Sequence, residues 1–188
     1  MHWHRILRIA AVAGLLACST VFTATARPTH ISPHHAARQS LAATGYYVDF
    51  LARPSQYVGH SYIQTGTIDL RGTAHTVATA GFYPKSAKAY FDAPGIVMAT
   101  PADLRSSPSV RYRVAVSERT FRKTTNLLHQ LPATWTHYDL FGRNCNHMVA
   151  RVARQIGLDA PGDFTDLPEN YVRKLQAMNG GRTRASRR

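Results

Sequence analysis

Cys145, Met148, Val149, Val152, Ala153 and Ile156 recur at i, i+3, i+4, i+7, i+8 and i+11. That spacing lays all six side chains along one face of an α-helix. Asn144 stands where an N-cap belongs, Gly157 stands where the helix should stop, and Arg151 and Arg154 fall off the stripe. A helix with a single apolar face has to bury it against a second layer.

The middle of the chain supplies that layer. Val110, Tyr112, Val114 and Val116 alternate with Arg111, Arg113 and Ala115, the period-two pattern of a half-buried antiparallel strand with a solvated face. Tyr57 to Gln64, His75 to Ala80 and Ile96 to Ala99 read as further strands. Gly81-Phe82-Tyr83-Pro84 closes the second of these, as a lip of a cleft or as a simple terminator, and a loop through Pro94-Gly95 precedes the third. Tyr46 to Leu51 is a short apolar segment ended by Arg53-Pro54. Glu118 to Leu131, after Ser117, can form a helix with Phe121, Leu127, Leu128 and Leu131 on one face. Trp135 and Tyr138 lie in the connection that follows, and a last helix runs from Pro168 to about Met178. Strands in the middle and helices towards the C-terminus predict an α+β domain with an antiparallel sheet packed against the helix that carries Cys145.

Targeting and charge bound the rest. Arg5 and Arg8, an apolar run from Ile9 to Cys18 and the small residues Ala24-Thr25-Ala26 have the layout of a secretory signal over residues 1–26. Leu15-Leu16-Ala17-Cys18 also resembles a lipobox, in which Cys18 would carry a lipid anchor. The expected destination is therefore the periplasm or the medium, with a lipoprotein as the alternative. Residues 27–43 read as a flexible leader, 44–178 as the compact domain and 179–188 as a basic disordered tail. Loss of Arg5 and Arg8 would lower the net charge from +13 to +11. Such a charge favours an anionic envelope surface. Its spread over leader, strand and tail, without interleaved aromatics or a nucleic-acid module, argues against nucleic acid as a partner. A monomer is expected.

Without the signal, Cys145 is the lone thiol, with no cysteine left for an internal disulfide. In the first turn of a helix it meets unpaired backbone amides and the positive end of the dipole, which favour a thiolate. A small buried core cysteine is the competing reading. Among the candidate bases, His30, His34 and His35 lie in the leader and His129 on a polar helix face. His137 and His147 flank the thiol, but His147 points about 200° round the helix from it. His60 follows Gly59 inside an apolar strand, either as a base or as a hydrogen-bonded core histidine. The histidines lack metal-ligand spacing such as His-Glu-x-x-His and cysteine pairs are absent, so neither a metal nor a cofactor is expected.

The run Tyr138-Asp-Leu-Phe-Gly-Arg-Asn-Cys-Asn-His, followed by Val152-Ala153, Gly157, Pro161 and Thr165-Asp-Leu-Pro168, resembles the C-terminal half of the PPPDE thiol peptidases, which are permuted papain-like proteins. Gly59-His60-Ser61-Tyr62-Ile63 is similar to their histidine strand, and to those of NlpC-type endopeptidases and lecithin:retinol acyltransferase-like enzymes. The resemblance implies a permuted papain-like fold with Cys145 as nucleophile and His60 as base. The expected activity is an amidase or peptidase working through an acyl-enzyme, with peptide, peptidoglycan or an acylated molecule as substrate. An acyltransferase or thioester hydrolase on the same dyad is the alternative within enzymes, and a catalytically silent binding module is the alternative outside them. The backbone amides near Cys145, with the Asn144 side chain, are candidate oxyanion donors. Tyr62 is a candidate wall of the cleft or a packed aromatic, and His75 a candidate third residue orienting His60 or a surface histidine.

Overall fold

The computed structural model describes residues 43–55, 58–86 and 91–180. The signal, almost all of the leader, Tyr57 and the chain after Gly180 lie outside the described residues. The described chain is an α+β domain. β1 (Ala43–Arg53), β2 (His60–Asp69), β3 (Ala74–Pro84), β4 (Asp92–Met98), β5 (Val110–Val116) and β6 (His137–Asp139) form one sheet in the order β5-β1-β2-β3-β4-β6. Every neighbouring pair is antiparallel. The helices are α1 (Pro101–Arg105), α2 (Glu118–Thr134), α3 (Cys145–Gln155) and α4 (Pro168–Asn179).

One face of the sheet carries the main core. Phe50, Ile63, Phe82 and Tyr112 from four strands meet Leu131 of α2, Met148 and Val152 of α3, and Tyr171 and Leu175 of α4. Phe82 is fully buried, with Trp135 edge-on at 4.9 Å and Tyr138 tilted at 5.2 Å between ring centroids. Trp135, just after α2, and Tyr138, within β6, are thus core residues. The opposite face is also closed over at its centre, where Tyr47, Asp49, Leu51, His60 and Tyr62 are buried. Asp49 pairs in register with Arg113, which bonds both carboxylate oxygens at 2.8 and 2.7 Å and lies 3.9 Å over the Tyr47 ring. The face of β5 that alternation assigns to solvent is thus half committed to neutralising a buried carboxylate.

Several element boundaries move from the sequence expectation for identifiable reasons. Every residue from Tyr47 to Ala52 is buried, because β1 is interior to the sheet and covered on both faces. Such a strand shows no alternation and reads only as an apolar run. β3 continues through Gly81 to Pro84, and β4 includes Pro94 and Gly95. Proline is tolerated there because it stands opposite three-residue β6 rather than within a long ladder. α2 runs past Pro132 to Thr134, where the Trp135 amide reaches the Leu131 carbonyl at 2.8 Å.

α3 ends as expected. Gly157 has φ +85°, its amide bonds to the Arg154 carbonyl, and the Leu158 amide reaches back to the Ala153 carbonyl at 2.9 Å. This is a Schellman closure that needs a residue with a left-handed backbone. The expected tail begins one residue too early: Asn179 is fully buried and closes α4 with bonds to Asp159 and Leu175. α1 has a readable signal, a capping box from Thr100 to Asp103 with Pro101 at the first turn.

Phe82 joins the sheet to α2 and β6, so its truncation leaves a cavity at the centre of the core. Phe82→Ala should cost about 3–5 kcal/mol of stability in urea unfolding. Val77→Ala, at an exposed position of the same strand, should stay within about 0.5 kcal/mol.

Candidate active site

Asn144 fixes the head of α3. Its Oδ1 accepts the amides of Asn146 at 2.9 Å and His147 at 3.3 Å, and its own amide donates to His147 Nδ1 at 3.2 Å. His147 is thereby held as the second half of a capping box and, as its helical position predicts, is not turned towards the thiol. The Asn144 Nδ2 group donates to the carbonyls of Leu140 at 2.6 Å and Phe164 at 2.9 Å. Both carboxamide protons are committed, so Asn144 positions the helix and has no donor left for an oxyanion. The expected role is corrected accordingly.

Cys145 is the first residue of α3, free and only 6% exposed. Burial pushes its thiol above the ordinary range, while Ser61 and the amides of Asn146 and Cys145 pull the other way without prevailing. The resting thiol is therefore protonated. Ser61 Oγ also donates to Asn146 Oδ1 at 2.9 Å, and Asn146 Nδ2 donates to the Phe164 and Asp166 carbonyls at 3.2 and 2.8 Å. The Ser61 hydroxyl has one proton and Asn146 holds it, so stabilising a thiolate from that side requires the proton to change acceptor. The flanking Asn146, quoted in the motif but given no role there, ties β2, α3 and the loop before α4 together.

His60 is 6% exposed and opens β2. Ser61 faces α3, so period-two alternation sends His60 to the other face of the sheet. There its ring stacks on Tyr83 at 3.9 Å between centroids and on Tyr62 at 6.3 Å. Tyr83 Oη donates to Asp103 in a short bond, Arg53 Nε donates to the same carboxylate at 2.9 Å, and the Thr100 amide adds a third donor at 2.9 Å. Burial raises the Asp103 carboxyl, but the bonds from Tyr83 and Thr100 outweigh it and hold the group below its usual 3.8. His60 Nε2 is buried and has no hydrogen-bond partner among the described residues. A Cβ on Gly81 would come within 2.4 Å of that nitrogen, so only glycine fits beside it. Burial pushes the imidazole down to about 3, with Asp103 pulling it up and Arg53 pushing it further down.

The structure therefore brings the two expected partners to one strand end without joining them. Cys145 rests on Ser61 and His60, the residue before it, turns to the Tyr83–Asp103–Arg53 network. Tyr62 shares the His60 face and is fully buried, its hydroxyl also without a partner among the described residues. His75 does not orient His60. In the β2–β3 hairpin it stands opposite Thr67, seven residues along β2 from His60, and pairs with Asp69 at 2.9 Å on the surface. An antiparallel hairpin sets the start of β3 beside the end of β2, so the positions near His60 are Gly81 and Tyr83. Searches against protein-family models, curated proteins and solved structures return no match.

The neutral buried imidazole has a pH signature. An unfolded histidine binds a proton below about 6.5, whereas His60 in the fold resists until about 3. The unfolded state then holds more protons throughout that interval, so stability is full above pH 6.5 and falls as the pH drops towards 3. His147, also depressed by its burial and by Arg154 and Arg143, adds to the same slope. His60→Gln should remove about one proton of it, about 1.4 kcal/mol per pH unit between pH 6 and 4, in urea unfolding measured across that range.

Proposed function

We propose that this chain is a permuted papain-like cysteine hydrolase, acting on an amide or ester carbonyl through Cys145. The observation that carries the reading is the thiol itself. It stands at the first position of a rigidly capped helix, beside the Cys145 amide, a donor suited to a thiolate or a developing oxyanion. The Ser61 hydroxyl and the Asn146 amide also lie beside it, but their protons rest on Asn146 Oδ1 and Asn144 Oδ1 and would have to change acceptor to serve it. His60 is the base, and its orphaned Nε2 is the second support. In the acylation step His60 takes the thiol proton as the sulfur bonds to the carbonyl carbon. The same proton then passes to the leaving amine or alkoxide, and water cleaves the thioester.

This mechanism requires a change from the resting state, in which thiol and imidazole are both neutral and unjoined. His60 is paired with Arg53 in the sheet and stacked on Tyr83, so the change has to release the ring from that seat. Export, if residues 1–26 act as a signal, points to wall peptide or an acylated envelope molecule as substrate. The seating of His60 against Tyr83, away from the thiol, favours a second reading in which the domain binds such molecules without turning them over.

Turnover of purified peptidoglycan, a ubiquitin-like fusion and an acyl thioester separates the two. A hydrolase should lose all activity in Cys145→Ala and about 10²–10⁴-fold in His60→Ala. Activity that survives Cys145→Ala refutes the mechanism. Saturable binding with no turnover by the intact protein establishes the silent module.

A further inference from the structure

The side of α3 turned away from the main core carries a groove of about 470 Å³, lined by Trp135, Gly142, Arg143, His147, Arg151 and Arg154. His147, Arg151 and Arg154 stand at i, i+4 and i+7 and so form one helical stripe. Arg143 enters from the loop just before the cap, its guanidinium 4.6 Å over the Trp135 ring and bonded to the Thr134 carbonyl at 3.2 Å. Arg151 and Arg154 are exposed, and Arg154 lies 5.8 Å over the Phe164 ring.

The charge of this groove is uncompensated. Arg53, Arg111, Arg113 and Arg122 each reach a carboxylate, but among the described residues Arg143, Arg151 and Arg154 form no ion pair. α3 has no acidic residue in its first turn, so the positive end of its dipole adds to the three cations. The carboxylate that does act on His147 is Asp139, and its Oδ1 is taken up by the amides of Phe141 and Gly142 at 2.7 Å each. Guanidiniums gathered along a concave surface repel one another unless an anion joins them, and their planar donor forks match phosphate oxygens. The volume exceeds what a bare phosphate ion fills and falls in the range of small-molecule sites.

We infer that this groove is a binding site for a phosphate group carried on a larger molecule, distinct from the thiol on the other side of the same helix. Two sources share that chemistry, a soluble phosphate monoester and an anionic phospholipid headgroup. A bound phosphate would offset the repulsion among Arg143, Arg151, Arg154 and protonated His147, raising the proton affinity of His147.

The test is a titration of the full chain with glycerol 3-phosphate, and separately with phosphatidylglycerol and phosphatidylcholine vesicles. It is followed by NMR at the His147 ring and the Gly142 to Arg154 amides, and by vesicle co-sedimentation. Saturable shifts confined to those residues are expected. They should weaken about 10-fold or more in Arg151→Gln/Arg154→Gln. Arg119→Gln/Lys123→Gln, an equal loss of charge at exposed positions of α2, should stay within about twofold of the unchanged protein. Saturation by glycerol 3-phosphate identifies a soluble ester. Sedimentation with phosphatidylglycerol but not phosphatidylcholine, without such saturation, identifies a lipid headgroup. Equal weakening by both double variants, unsaturated shifts spread over the surface, or no response to either source overturns the inference.

Discussion

The buried contact between Ser61 and Asn146 holds the candidate site together. It is one hydrogen bond of 2.9 Å between residues 85 positions apart, yet its loss would leave a hydroxyl and a carboxamide unsatisfied in the interior. Asn146 accepts from Ser61 through Oδ1 and donates through Nδ2 to the carbonyls of Phe164 and Asp166, so the same side chain fixes the loop that delivers α4. The placement of Cys145 follows from this contact and from the Asn144 cap. The two asparagines flanking the thiol act on backbone and hydroxyl groups, and the space around the sulfur is left to Ser61 and to the helix amides.

The two faces of the sheet do different physical work. One is an apolar layer under three helices. The other encloses charge: Asp49 with Arg113, and Asp103 with Arg53 and Tyr83. Buried ion pairs of this kind return less than their Coulomb energy because both partners lose hydration. They do impose a single geometry, since each carboxylate is met by several donors. His60 belongs to this polar face, which accounts for its neutral state and for the glycine at position 81.

Much of the fold was legible from sequence. The stripe from Cys145 to Ile156 gave α3, with Asn144 and Gly157 as its ends, and the alternation from Val110 to Val116 gave β5. β1 was harder to read because burial on both faces erases the alternation that marks a strand. β6 was hidden because three residues carry no period. At the site, the thiol, its helix and the histidine strand could be read, but not the direction of the imidazole. That direction depends on which face of β2 meets α3, and a strand pattern buried on both sides, from His60 to Ile63, does not say. Of the two readings of His75, hairpin geometry selects the surface histidine, since it sets that residue against Thr67.

The separation in sequence between Ser61 and Asn146 also bears on how the protein reaches its native state. α3 is local and can form early, but Cys145 acquires its cover only when β2, near the start of the described chain, has docked against it. Contacts between such distant segments form late, because the intervening chain must first be closed into a loop. The single thiol of the described domain therefore stays uncovered in any state in which β2 has not docked on α3. Its accessibility marks the moment at which the two halves of the domain join.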